Sequence, residues 1–420
     1  MIFGSICHNL AITNGKQLGK CLTLSRDDRM GVTLSLRERV GTRSNFAFGG
    51  SKRLALSRCD RRLFWCLSQL VFVVTLFLTV QRALGQGCIA SPNNPSSHLI
   101  PGEFTNTMSL ANRWLGSVDY RWYESFRHFV GDVEQPQREA MGNNVINDVH
   151  AFNVAGTYGF SDRWSATINF PFIYADRSSL YEHDFIHRHS MHSGGLGDLR
   201  LVTDFWLLSP QTHMDGNVAV GVGLKVPTGD DKASDISYRA TGPVTRPVDP
   251  SIQPGDGGWG ILFELQAYQK IYERLFGFVQ GSYLMTPAEQ NETEYTLGDR
   301  PGFSPLLKHD SIPDQYFGRG GFNYVLWPDK GLSIALGARI EGVPVHDAIG
   351  GSMGFRRPGY TISIEPGISW TGIRNSFSIN TPVALYRNRE RSAPEIALGL
   401  PGGDAAFADF SILASFTHRF

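Results

Sequence analysis

The chain has 420 residues and carries 39 basic and 39 acidic side chains, but the balance is uneven along its length. The first 85 residues hold 13 basic and 4 acidic residues, which leaves 26 against 35 beyond them, near −9. So acidic a remainder excludes nucleic acid as a partner. Four of the five cysteines, Cys7, Cys21, Cys59 and Cys66, precede residue 86, so Cys88 is left without a partner for an intramolecular disulfide.

In chain order, the first element is the mostly apolar run Leu63 to Val80, which follows Arg61 and Arg62 and precedes Ala83-Leu84-Gly85. Small residues at 83 and 85 suit signal-peptidase cleavage before Gln86. The 62 residues ahead of the run, with 12 basic and 4 acidic side chains, exceed a usual n-region, and Met30 offers an internal start. Residues 1–85 are therefore expected to be an extended leader with a cleaved signal peptide. The competing reading retains the 18-residue run as a membrane anchor. Residues 86–112, rich in Pro, Ser and Asn, read as a periplasmic lead-in. Gly85 stands where a lipid-modified Cys88 would need a leucine, so Cys88 is read as unmodified.

From residue 113 onward the dominant signal is alternation with a period of two. Val218, Val220, Val222, Leu224 and Val226 interleave with Asn217, Ala219, Gly221, Gly223 and Lys225. The same pattern recurs at 332–340, 360–370 and 377–385. Weaker stretches near 113–128, 145–160, 164–174, 197–208, 259–271, 275–286 and 315–327, with the terminal strand, bring the count to about twelve. In that last strand Phe410, Ile412, Ala414, Phe416, His418 and Phe420 share one face, and Asp409, Ser411, Leu413, Ser415, Thr417 and Arg419 the other. A chain that ends on an alternating strand and an aromatic residue suits a closed sheet, whose last strand must pair with its first.

Connection lengths sort into two classes, as in outer-membrane barrels. Short turns fall at 161–163, 209–216, 272–274, 328–331 and 372–375. Long polar segments fall at 129–144, 175–196, 227–258, 287–314, 342–359 and 386–406. Phe160, Trp164, Trp206, Tyr272, Trp327 and Trp370 lie near the short turns, and Phe172, Tyr174, Tyr283, Tyr316 and Tyr360 near the long loops, which predicts two aromatic girdles. The expected fold is all-β: a closed antiparallel transmembrane barrel over residues 113–420, with short periplasmic turns and long extracellular loops. A secreted β-sandwich is the competitor, but it gives no reason for the two-sided sorting of connections.

The motifs Gly195-Leu196-Gly197-Asp198-Leu199, Val226-Pro227-Thr228-Gly229-Asp230, Ile252-Gln253-Pro254-Gly255-Asp256-Gly257, Glu365-Pro366-Gly367-Ile368-Ser369 and Gly403-Asp404-Ala405-Ala406-Phe407-Ala408-Asp409 occur in that order. From about residue 145 to the C-terminus the chain thereby resembles a bacterial family named for a MetA-pathway of phenol degradation, whose members are labelled outer-membrane transporters. The resemblance implies an outer-membrane barrel with a transport role. It does not carry phenol over as a substrate.

Parity places Arg200, Asp204, Lys225, Glu264, Arg339, Glu341 and Glu365 on the inward face, because an Arg or Lys on the lipid face costs about 2–4 kcal/mol at mid-depth. These seven are the candidates for lining a pore. The alternative is a salt-bridged plug, since twelve strands fall between barrels that are packed shut and barrels that enclose a channel. Phe416 and Phe420 are the candidates for an assembly signal read by barrel-assembly machinery. His183, His187, His189 and His192 concentrate imidazoles in the third-to-fourth strand loop and are weak metal-ligand candidates, since their spacing matches no fixed site. Gly350-Gly351-Ser352-Met353-Gly354, with His346 and Asp347 nearby, matches the letters of a hydrolase elbow but lies between antiparallel strands, outside the strand-to-helix turn that gives the motif meaning. No phosphate-binding loop, paired-cysteine metal site or dinucleotide fingerprint is present. The expectation is a non-enzymatic outer-membrane channel or transporter without cofactor, passing small molecules, hydrophobic or aromatic ones included. Its partners would be the solute, outer-membrane lipid and the assembly machinery. A plugged structural or surface-interaction barrel is second, and a barrel-embedded lipid hydrolase third.

Overall fold

The computed structural model describes residues 110–420 and, earlier in the chain, the strands Cys7–His8, Lys20–Asp27 and Gly31–Glu38, which form a small antiparallel sheet of their own. The expected signal peptide, its cleavage site, Cys88 and most of the lead-in lie outside the described residues.

Residues 113–419 form a closed antiparallel barrel of twelve strands. They are β1 (Arg113–Val130), β2 (Ile146–Gly159), β3 (Trp164–Ser179), β4 in two segments (His189–Leu196 and Leu199–Trp206), β5 (Gly216–Val226) and β6 (Gly260–Tyr272). Then follow β7 (Leu275–Met285), β8 (Gln315–Trp327), β9 (Leu332–Val343), β10 (Gly359–Thr371), β11 in two segments (Asn375–Asn380 and Val383–Arg389) and β12 (Ala405–Arg419). Each strand pairs with its sequence neighbour, and β12 closes on β1 through a ladder from Arg419↔Leu115 to Ala405↔Phe129. No strand edge of the barrel is left for another chain.

Alternation along each strand decides the two faces. On β5, Val220, Val222 and Leu224 are exposed, while Asn217, Ala219 and Lys225 point inward and are buried. On β12, Phe410, Phe416 and Phe420 face out and Ser411, Leu413, Ser415 and Thr417 face in, as the tail predicted. The exposed apolar band continues through Phe263, Phe322, Leu336, Ile364 and Ile368. So large an apolar exterior is a lipid-facing surface. Trp164, Tyr272, Trp327 and Trp370 are exposed at the short-turn end. Trp206 is not part of that girdle: its parity turns it inward, edge-on to Tyr268 at a ring distance of 5.9 Å.

Besides register shifts at Lys270/Tyr272 and Val325/Trp327, two strands are interrupted outright, and both interruptions involve proline, which has no N–H to donate. Opposite Pro171, β4 is interrupted at Gly197-Asp198, and the Gly197 N–H donates to the Pro171 carbonyl at 2.7 Å. At Thr381-Pro382, β11 is interrupted, and its outer segment meets β12 at the single pair Val383↔Phe410. Register shifts on both sides of Ala408 accompany that seam.

The long-loop end differs from expectation at one connection. The segment 175–196 is mostly wall: β3 continues to Ser179 and β4 resumes at His189, so the loop shrinks to 180–188. The period-two signal of these residues is masked by their polarity, because above the membrane both faces of a strand meet water or other loops. The remaining long connections hold a hairpin (Ser234–Arg239 with Gly242–Pro247), a second short pair (Gln290–Glu294 with His309–Ser311) and a helix, Ala393–Ala397. The helix starts on a capping box in which Ser392 and Glu395 exchange hydrogen bonds.

Candidate functional site in the barrel interior

The interior is built from the inward half of each strand's alternation, and it is polar. Asp204, Gly221, Glu264, Ser282, Phe317 and Glu341 occupy one continuous row of directly paired positions across β4 to β9. Arg319 and Arg339 are themselves paired across β8 and β9, two residues away from Phe317 and Glu341. All seven residues proposed from parity therefore do point inward, though they divide into three groups.

The first group is a chain of buried ion pairs. Arg121 on β1 donates both terminal nitrogens to Glu341 on β9, at 2.7 and 3.1 Å, so it spans the lumen between strands that are not neighbours. Arg339 Nε lies 3.2 Å from Glu341 and its Nη1 3.4 Å from Glu365, which also accepts from Arg319 at 2.8 Å. Arg319 additionally donates to Gln280. Phe278 and Phe317 underlie Arg319 and Arg339 with guanidinium-to-ring distances of 5.6 and 5.1 Å. Alternating signs let each charge leave water only in company.

The second group is the clasp Lys225–Asp198–Asp256. Lys225 Nζ bonds to Asp256 and lies 3.4 Å from Asp198, whose carboxylate accepts the backbone N–H groups of Gly229 at 3.1 Å and Asp256 at 3.3 Å. Gly229 and Gly255 pack backbone to backbone, and a Cβ on Gly255 would come within 2.6 Å of Gly229. The clasp pins the connection between β5 and β6 to the break in β4.

The third group is Asp204 and Glu264, which flank Gly221 on neighbouring strands, with Arg200 further along β4. A cavity opens here, lined by Thr167, Asn169, Asp204, Glu264, Gln280 and Phe317. A second cavity lies behind the β11–β12 seam, with Arg121 and Glu341 at its polar side and Pro382, Ala384, Phe407 and Phe410 at its apolar side.

Sequence reading missed Arg121, Arg319 and Asp119. Asp119 accepts from Ser415 at 2.6 Å and from Asn153 at 3.2 Å, tying β1 to β12 and β2. All three obey the parity of their strands, but β1 and β8 alternate too weakly in hydropathy for that parity to be read with assurance of register. Asp198 and Asp256 stood in the quoted motifs without a role.

The long loops pack on one another through a buried charge cluster. Asp249 accepts from Arg357 at 2.8 Å and lies 3.2 Å from Arg177, which also meets Glu182 at 2.7 Å. Burial pushes the Asp249 carboxyl up, but Arg177 and Arg357 outweigh it and hold the group well below the carboxylate range. Tyr295 stacks on Phe355 at 3.5 Å beside this cluster. Asp310 is 2% exposed, and neither of its carboxylate oxygens has a hydrogen-bond partner. Burial, then Asp249 and Asp231, raise it well above the usual range.

Of the four clustered histidines, His183, His187 and His189 stay together, with ring centroids 5.1 Å apart for His183–His189 and 6.4 Å for His187–His189, while His192 stands apart. His192 is on β4 and bridges Asp176 at 2.8 Å and Asp235 at 3.2 Å. His183 Nδ1 accepts the Tyr238 N–H at 3.0 Å, and His189 stacks on the Tyr238 ring at 4.5 Å. His187 is held by Asp184 at 2.6 Å. His183 Nε2 is buried without a hydrogen-bond partner, and among the described residues no three His, Cys, Asp or Glu side chains converge as a metal site. Ser352 Oγ accepts the Asp347 N–H at 3.0 Å, and the Asp347 carboxylate is paired with Arg356, so neither is arranged as nucleophile and base.

No family model and no curated protein matches this chain. Solved structures resemble its fold. An outer membrane channel from Pseudomonas putida F1 aligns with a TM-score of 0.48 and 13% identity, covering 78% of this chain and 99% of that one. The P. putida toluene transporter TodX aligns at 0.37 and 8% identity, covering 80% and 99%. The monoaromatic hydrocarbon channel CymD aligns at 0.36 and 9%, covering 80% and 98%.

Proposed function

We propose that this protein is an outer-membrane channel that passes small molecules by passive or facilitated diffusion, without covalent catalysis. The observation that carries the reading is that the barrel interior keeps small, water-sized cavities beside its ion pairs: one at Asp204 and Glu264, one between Arg121 and the seam at Pro382 and Phe410. A barrel serving only as a scaffold gains nothing from leaving charged groups beside unfilled space, since each cavity forfeits packing. Arg200, Asp204, Lys225, Glu264, Arg339, Glu341 and Glu365 line the proposed path, with Arg121 and Arg319 added. The apolar side of the second cavity supports aromatic or other hydrophobic solutes within that range. A cleaved leader, residues 1–85, and a lead-in, 86–112, complete the proposed export route.

The test is single-channel conductance of the detergent-folded protein in a planar bilayer, with folding checked by heat-shifted gel mobility. Stepwise conductance is expected, and Asp204→Asn with Glu264→Gln should lower its cation preference. Silence from a correctly folded barrel, together with failure of small solutes to enter liposomes carrying it, would overturn the reading. It would favour a plugged structural barrel, for which the continuous Arg121–Glu341–Arg339–Glu365–Arg319 chain is the supporting observation.

A further inference from the structure

The connection between β5 and β6 does not stand clear of the barrel. Val248 and Ile252, both fully buried, form one apolar cluster with Tyr123, Val149, Ile173 and Met191, which are inward-facing residues of β1 to β4. The segment therefore dips into the mouth of the barrel, as a lid does. Between its two apolar anchors lies Asp249, held by Arg177 of β3 and by Arg357 of the β9–β10 connection. The seat of the lid thus depends on a neighbouring loop as well as on the wall.

Asp310 lies beside this seat. It belongs to the β7–β8 connection, and the residues on either side of it are bonded to the β9–β10 connection: the Phe355 N–H donates to the His309 carbonyl at 2.7 Å, and the Ser311 N–H to the Phe355 carbonyl at 3.0 Å. Gly354 permits that approach, since a Cβ there would stand 3.0 Å from the His309 carbonyl oxygen. A backbone so fixed keeps the Asp310 carboxyl buried, with no hydrogen-bond partner on either oxygen. The charges around it are already balanced. Asp249 and Glu182 are matched by Arg177 and Arg357, so an ionised Asp310 is a surplus negative charge. Of the groups that act on it, Asp249 and Asp231 repel that charge, and Arg357 attracts it while engaged by Asp249. The Tyr295 hydroxyl, 3.3 Å from Arg357, is kept neutral by its own burial. Lys308 pairs with Glu294 at 3.5 Å, and alternation turns His309 to the other face of its strand.

We propose that the β5–β6 connection is a proton-latched lid: Asp310 in its protonated form lets the β5–β6, β7–β8 and β9–β10 connections close over the barrel mouth, and its ionisation loosens them. A proton suits the site where a metal ion does not, because it needs no room, Arg357 stands beside the carboxyl, and among the described residues no three metal-ligating side chains converge. Burial first, then Asp249 and Asp231, raise the Asp310 carboxyl well above its ordinary value of 3.8. The closed lid therefore binds more protons than the opened one. Its stability is fully present below 3.8 and is lost as pH rises, down to a plateau once Asp310 ionises in the closed form as well. His183, which charges in acid, acts in the opposite direction. As a lid on a solute path the latch rests on the channel reading, whereas as a contact between loops it stands by itself.

The experiment is hydrogen exchange of the full, detergent-folded protein, read as the protection factor of the Ile252 amide, which donates to the Asp249 carbonyl at 3.0 Å. Between about pH 5 and about pH 8 the factor is expected to fall at least about tenfold, the change that one pKa unit carries. Asp310→Asn, which never ionises, should remove that fall. His183 titrates alike in both proteins, so their difference reports Asp310 alone. Heat-shifted mobility verifies folding, and the fall in the unaltered protein is decisive even where the variant does not fold. A factor that stays level or rises in the unaltered protein, or an equal fall in Asp310→Asn, would overturn the latch. Planar-bilayer conductance over the same range separates it from the channel reading: open probability should rise with pH in the unaltered protein and stay level in Asp310→Asn. Current with a pH-independent protection factor sinks the latch and leaves the channel, whereas a falling protection factor without current at any pH supports the latch and sinks the channel.

Discussion

Arg121 shows how one side chain does work that its own strand cannot explain. Its guanidinium reaches from β1 to Glu341 on β9, with both side chains under a tenth exposed. Arg121→Leu leaves Glu341 with Arg339 as its remaining partner, and the expected cost is about 3–5 kcal/mol, read as a lower urea midpoint for the detergent-folded barrel. The double variant Arg121→Leu/Glu341→Leu should recover most of that loss, since what destabilises is the orphaned charge and not the absence of the pair. A second residue-scale test concerns Gly331, which closes the turn between β8 and β9 at φ +67, where a Cβ would stand 1.9 Å from the Thr371 carbonyl oxygen. Gly331→Ala is expected to lower the same midpoint by at least about 1 kcal/mol, since it adds left-handed strain to a backbone clash.

At the scale of elements, the hairpin Ser234–Arg239 with Gly242–Pro247 is attached to the barrel rim through histidines. His183 accepts the Tyr238 N–H, an arrangement that requires a neutral ring, and burial followed by the neighbouring His189 lowers its pKa to about 4. The folded state thus binds fewer protons than the unfolded state between about 6.5 and about 4. The contribution of His183 is fully present above the unfolded value and is lost as pH falls towards the folded one. The protection factor of the Tyr238 amide, taken relative to its intrinsic exchange rate at each pH, should therefore fall on acidification through that window, and His183→Gln, which keeps an acceptor without titrating, should flatten the response. An unchanged protection factor in the original protein would refute the attachment. The terminal strand gives another element-scale expectation. The Phe420 N–H donates to the Trp114 carbonyl at 3.0 Å and its ring lies edge-on to His418 at 4.7 Å, so it ends the ladder that closes the barrel. Deleting Phe420 should reduce outer-membrane yield, measured as heat-shifted barrel per cell.

At the scale of the whole molecule, closure and polarity are linked. Because β12 pairs with β1, every strand presents one face outward and one to the interior, and the inward charges, Arg121, Arg319, Arg339 and Glu341 among them, share a confined space, whereas Glu124 and Asp148 face out. The result is an interior whose charges compensate one another in local chains, and a wall that is continuous except near prolines. The β11–β12 seam is where the ladder falls to one pair, and the second interior cavity lies directly behind it. A disulfide between Ala384→Cys and Ala408→Cys, both lining that cavity, should lock the seam and slow entry of an apolar probe such as toluene into liposomes severalfold relative to the reduced form. An unaltered rate would place the apolar path elsewhere.

The sequence by itself determined the fold to a large extent. Alternation at Val218–Val226 and along the terminal strand, with connections sorted by length, dictated a twelve-stranded barrel and the inward position of all seven charged candidates, because side-chain direction in a strand depends on parity alone. Which charges meet was undetermined, since Arg121 and Glu341 are 220 residues apart and their distance depends on barrel closure. The histidines illustrate the same limit: the extension of β3 and β4 put His192 on the wall, apart from His183, His187 and His189, whose rings remain neighbours. Tertiary structure alone decided that Asp204 and Glu264 flank Gly221, because this depends on the register of three neighbouring strands. Local sequence specifies each strand's faces, whereas register is a property of the closed sheet.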